Sequence, residues 1–136
     1  MSEEQTNRRF ELALELFERA LARLQEALAM DESTIVRDGL IQRFEFTFEM
    51  AWRAAYRWLR ARDVAVNEEA FAVLPAAFRN QLVTDEQAWG DIRRNRNLTS
   101  HTYREDIAIQ VAAFVRAVAV HRFSDLLATL RARAAE

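Results

Sequence analysis

Phe10, Leu14, Phe17, Leu21, Leu24 and Leu28 alternate steps of four and three residues, which places them on one face of a helix. That stripe predicts a first helix from about residue 6 to 30. Asp31, Glu32 and Ser33 supply capping side chains, and a second apolar-periodic stretch follows from 34 to 62. So short a link makes the two helices antiparallel. Ile41, Phe44, Phe48, Ala51, Ala55 and Leu59 form the second stripe, and Phe46, Trp52, Tyr56 and Trp58 widen it, so this helix should have neighbours on more than one side. From 67 to 83 the pattern is helical, but Pro75 removes a backbone donor and predicts a kink or two short helices.

Two capping boxes are legible further on. Thr84-Asp85-Glu86-Gln87 predicts a short helix to about residue 95, and Thr102-Tyr103-Arg104-Glu105 predicts the start of the last long segment. Its stripe is Ile107, Val111, Phe114 and Val118; the phase then shifts near His121 and Ser124 to Phe123, Leu126, Leu127 and Leu130, predicting a bend or a separate terminal helix. The expected fold is all-α, an up-and-down bundle of about five helices forming a single domain over 1–136.

Composition agrees. With two glycines and one proline, the chain has too little turn chemistry for a sandwich or barrel. No cysteine is present, which excludes disulfides, thiolate catalysis and cysteine zinc sites. The N-terminus lacks the apolar core of a signal peptide and no run has the uninterrupted apolar length of a span, so a cytoplasmic protein with no membrane partner is expected. A net charge of −2 gives no whole-molecule attraction to nucleic acid, and polyanion binding would need a local patch.

Such a patch exists between the two capped helices. Arg93, Arg94, Arg96 and Arg104 occur with no acidic residue from Ile92 to Arg104. If Thr102 capped the last helix, the amides of its first turn would add a second attraction for an anion. Arg96 and His101 are five residues apart, which on an unbroken helix rotates them by about 140°; a break at Leu98-Thr99-Ser100 would let them converge. In a cleft, the guanidinium could stabilise charge on a pentavalent phosphate while the imidazole moves a proton near neutral pH. That is metal-free ribonuclease chemistry, with the RNA 2′-hydroxyl as nucleophile. An acid and a base are both wanted, and one chain offers one such histidine, so a symmetric dimer would complete the pair. His121 has no partner motif and reads as structural. Read alone, Arg93, Arg94 and Arg104 also suit a solvated helix end, and Tyr103 a packing ring.

Two stretches together carry a resemblance. RDG at Arg37 to Gly39 with IQRFEFTFEMAW at Ile41 to Trp52, and RNLTSHTY at Arg96 to Tyr103, resemble the small helical HEPN-fold nucleotidyltransferase substrate-binding proteins, also described as HepT-type toxins. The resemblance implies a five-helix bundle that dimerises, with an Arg, four-residue, His motif from each protomer lining a shared cleft. It makes Arg96 the phosphate clamp, His101 the acid or base, and Asn97 the usual polar residue after the arginine. Glu49 falls where related proteins carry an acidic residue near the cleft. Tyr103 matches the tyrosine to which a separate minimal nucleotidyltransferase adds AMP, a bulky anion that would obstruct the path of RNA. Under the family's older description the chain is instead a non-catalytic substrate-binding subunit. In both cases the nucleotidyltransferase is a partner, and ATP and metal belong to it, because this chain lacks the Gly-Ser and paired-Asp signature of such enzymes. The chain itself is expected to carry no cofactor.

Overall fold

A computed structural model describes residues 2–135, which form α1 (Glu3–Leu28), α2 (Thr34–Ala61), α3 (Ala70–Arg79), α4 (Glu86–Leu98), a 3-10 turn (Thr99–His101), α5 (Glu105–Phe114), a π turn (Val115–Ala119) and α6 (Val120–Ala134). The all-α bundle is as expected. α1 starts earlier than its apolar stripe indicates because Ser2 and Gln5 make a reciprocal capping box: Ser2 Oγ accepts from the Gln5 amide at 3.1 Å and Gln5 Oε1 from the Ser2 amide at 3.2 Å. Ser33 caps α2 as expected, accepting from the Val36 amide.

α1 and α2 lie antiparallel. Thr47, fully buried on α2, donates to the carbonyl of Ala20, and Arg43 donates to that of Arg23. α6 returns along α1: Arg116 covers the carbonyl of Leu28 at one end, and the rings of Phe17 and Phe123 meet edge to face in the middle. Phe123 is the hub of the core, with Phe44 of α2 and Trp89 of α4 at 6.1 and 5.8 Å between ring centroids. All six positions of the expected α2 stripe are buried, as are Trp52 and Trp58; Phe46 is not, being 55% exposed.

The remaining differences have local causes. Pro75 lies inside α3 without splitting it; the helix is ten residues long, and Pro75 and Phe71, whose carbonyl loses its partner, are both exposed. α2 and α3 end without glycine: Asp63 and Gln81 adopt positive φ, and the following amides of Val64 and Leu82 reach back to Leu59 and Ala77. The Gln81 conformation is held by Arg133, which donates to the carbonyls of both Asn80 and Gln81. A separate terminal helix does begin beside His121, at Val120, and His121 is exposed on it. The phase change is absorbed earlier, in the π turn, whose wider winding keeps Val111, Val115, Ala119 and Phe123 buried at constant steps of four. Val118, assigned to the stripe by periodicity, is only half-buried. By length and composition the Glu105–Ala134 rod could cross a membrane, but its apolar side is the core of the bundle.

Candidate functional site

The end of α4 is shaped by hydroxyls. Thr99, Ser100 and Thr102 donate to the carbonyls of Arg96, Asn97 and Thr99 at 2.6, 3.0 and 3.0 Å. Side chains bonded to the last helical carbonyls compete with continued α-helical pairing, and the chain tightens into the 3-10 turn from Thr99 to His101. The break therefore falls where the sequence indicates.

The Arg96 guanidinium turns toward α2, 3.5 Å from the Glu45 carboxylate, and donates to Thr99 Oγ1 at 2.9 Å. Its Nε is buried without a partner. His101 lies exposed beyond the break, its ring edge-on to Tyr103 at 6.1 Å. No hydrogen bond joins Arg96 to His101 among the described residues. The reason is geometric: two α steps of about 100° and three 3-10 steps of about 120° carry the chain some 160° off alignment, slightly more than an unbroken helix would.

Neither of the expected threonine caps forms. Asp85, not Thr84, caps α4, accepting from the Ala88 amide at 3.0 Å. α5 begins one turn past Thr102, with Arg104 as N-cap and no side-chain cap bond. The positive end of its dipole is faced by Glu105 and Asp106 of its own first turn, so amides waiting for an external anion are not what this helix start provides. Glu105 also lies 3.9 Å from Arg37, tying the start of α5 to α2.

Of the arginines read as phosphate-binding, Arg94 is paired with Asp91 and Arg104 with Asp106. Arg93 has no carboxylate partner among the described residues and stacks on the ring of Phe71 at 4.8 Å. Asn97 is exposed. Glu49 faces Arg53 at 3.7 Å, so the acid in contact with Arg96 is Glu45, one turn earlier. Glu45 has a sequence signal: it stands immediately beside Phe44 on the flank of the buried stripe, where a carboxylate needs a partner. Among the described residues no cluster of three histidine or acidic side chains is arranged to hold a metal ion.

A helical bundle that carries an arginine on an α2 carboxylate at the end of α4, with a histidine and a tyrosine exposed just past the break, defines a small helical domain with one polar end. The family model "Nucleotidyltransferase substrate binding protein like" matches residues 12–132, and the chain belongs to that family. A Haemophilus influenzae protein named "Probable ribonuclease HepT" is 34% identical over 91 residues, 60% of this chain and 62% of that protein's length. A Thermus thermophilus protein of known crystal structure superposes with a TM-score of 0.72 at 31% identity, covering 88% of this chain and 99% of that one. Another Haemophilus influenzae structure, described as revealing the fold of a substrate binding domain of a nucleotidyltransferase, superposes with a TM-score of 0.73 at 28% identity, covering 87% and 98%.

Proposed function

We propose that this chain is a HEPN-type, metal-independent ribonuclease toxin that works as a homodimer and is neutralised by a minimal nucleotidyltransferase adding AMP to Tyr103. The observation that carries the proposal is the pairing of His101 and Tyr103, both exposed and with their rings 6.1 Å apart, at the end of a helix whose Arg96 is fixed from behind by Glu45 and Thr99. The relative named as a ribonuclease supports it.

Cleavage would proceed by attack of the RNA 2′-hydroxyl on the adjacent phosphorus, breaking the bond to the 5′-oxygen and leaving a 2′,3′-cyclic phosphate. His101 moves the proton, and the Arg96 guanidinium offsets charge on the phosphate oxygens. One copy carries one such histidine, so a complete site needs a second copy to face the first, and two histidines then supply acid and base. In the inhibited state the Tyr103 phenolate oxygen bonds to the α-phosphorus of ATP and pyrophosphate leaves; ATP and its metal are held by the partner. The added phosphodiester stands beside His101 and repels the RNA backbone.

A second reading, a non-catalytic binding subunit, is favoured by the family description. One comparison separates them. Purified wild-type protein, freed of its partner and assayed in chelator, should cleave RNA, and His101→Ala should not. If wild type is inactive, or if His101→Ala cuts as well as wild type, the nuclease assignment fails.

A further inference from the structure

α3 turns an unusual face outward. Phe71 is 66% exposed and Phe78 is 38% exposed, with Pro75 between them. Phe71 and Pro75 border a cleft of about 620 Å³ that also touches Arg60 and Arg79, while Pro75 and Phe78 line one of about 150 Å³ shared with Arg93 of α4. Arg60, Arg79 and Arg93 have no carboxylate partner among the described residues, and Arg93 already stacks on Phe71. In the apolar groove between α1 and α2, by comparison, Arg53 and Arg57 are engaged by Glu49 and Glu68, and only Arg9 is without a carboxylate partner among the described residues.

Arg93 and Arg96 are three residues apart on α4, which puts them on one flank about 60° apart and about 4.5 Å along the axis. Arg93, and with it the Phe71 ring, therefore stands one helical turn from the arginine of the motif, whose own guanidinium turns toward α2. Exposed rings interleaved with unneutralised guanidinium groups are what binds single-stranded nucleic acid without sequence readout: bases stack on the rings and cations follow the phosphates. We propose that Phe71 and Arg93 form a subsite for single-stranded RNA flanking the scissile phosphate, with a base stacked on Phe71 and its phosphate on Arg93. This rests on the ribonuclease reading above, and it specifies that the substrate must be unpaired there, because a base inside a duplex has no free face to offer.

The test is binding of a fluorescent single-stranded oligoribonucleotide of about 12 nucleotides, 2′-O-methylated so that it cannot be cleaved. Phe71→Ala should weaken binding about 5- to 100-fold and Phe71→Trp should restore it. Arg93→Ala should weaken binding and reduce the slope of log affinity against log salt by about 0.7. Equal affinities for wild type and Phe71→Ala would overturn the subsite, as would a loss that Trp fails to rescue. If wild type cleaves RNA and His101→Ala does not, such a result removes the subsite alone; if wild type neither binds the probe nor cleaves RNA, the ribonuclease reading falls with it. Unchanged RNA binding combined with loss of the complex with a nucleotidyltransferase would make this face a protein-docking surface and refute the proposal.

Discussion

Glu45→Gln keeps the shape of the side chain and deletes its charge, which isolates what the carboxylate does for Arg96. At 3.5 Å the Coulomb attraction is about 1 kcal/mol in bulk water and about 5 kcal/mol at an effective dielectric constant of 20. Both side chains are about a third exposed, 31% and 35%, so solvent screening and the ordering of two long side chains remove most of the larger figure, leaving a net coupling of about 1 kcal/mol. Arg96 retains its bond to Thr99 when Glu45 is neutralised, so Arg96→Gln should cost more than Glu45→Gln. A double-mutant cycle measures the pair directly. Urea denaturation followed by circular dichroism should show the double variant less destabilised than the two single losses added together, by about 1 kcal/mol, with the coupling shrinking as salt is raised. A coupling within about 0.3 kcal/mol of zero at low salt would mean that Glu45 does not hold Arg96, and the fixed guanidinium invoked for phosphate stabilisation would lose its support.

Two further outcomes follow from the fold. Phe123→Ala, which empties a fully buried site between three other aromatic rings, should cost about 3–5 kcal/mol and lower the melting temperature by about 10 °C or more; a shift of only one or two degrees would contradict the packing. Asp85→Ala should cost about 1 kcal/mol and Thr84→Ala less than about 0.5 kcal/mol; the reverse order in thermal melts would restore Thr84 as the cap.

The helices are legible because burial imposes periodicity. The α2 stripe from Ile41 to Leu59 is recovered residue by residue, and so is the Ser33 cap. What periodicity misses is decided by local competition. Thr84 and Asp85 both suit a cap, and only the observed start of α4 selects the aspartate. The π turn is invisible to any reading that assumes one winding number, which is why periodicity points Val118 inward where Ala119 is buried. At the site, the chain spacing locates the break but not the direction in which it turns the side chains, and the partner of Arg96 comes from α2, about 50 residues away in sequence. Long-range pairing of that kind leaves no local pattern.

The separate contacts of Arg96 and His101 also explain why spacing alone does not define a site. On a single copy the guanidinium is occupied at the interface of α4 with α2, while the imidazole and the phenol of Tyr103 form a separate, exposed pair past the turn. A pair of this kind can present a proton donor to solvent, and catalysis by charge stabilisation also requires a cation positioned before the reaction begins. In the proposed dimer, a held guanidinium of one copy would stand opposite a free imidazole of the other without rebuilding the turn. The proposed dimer would also give Tyr103 its leverage: a group attached to a side chain 81% exposed would cost the fold little, yet between two apposed copies it would obstruct the proposed path of RNA. A switch can sit there because the residue contributes nothing to the core.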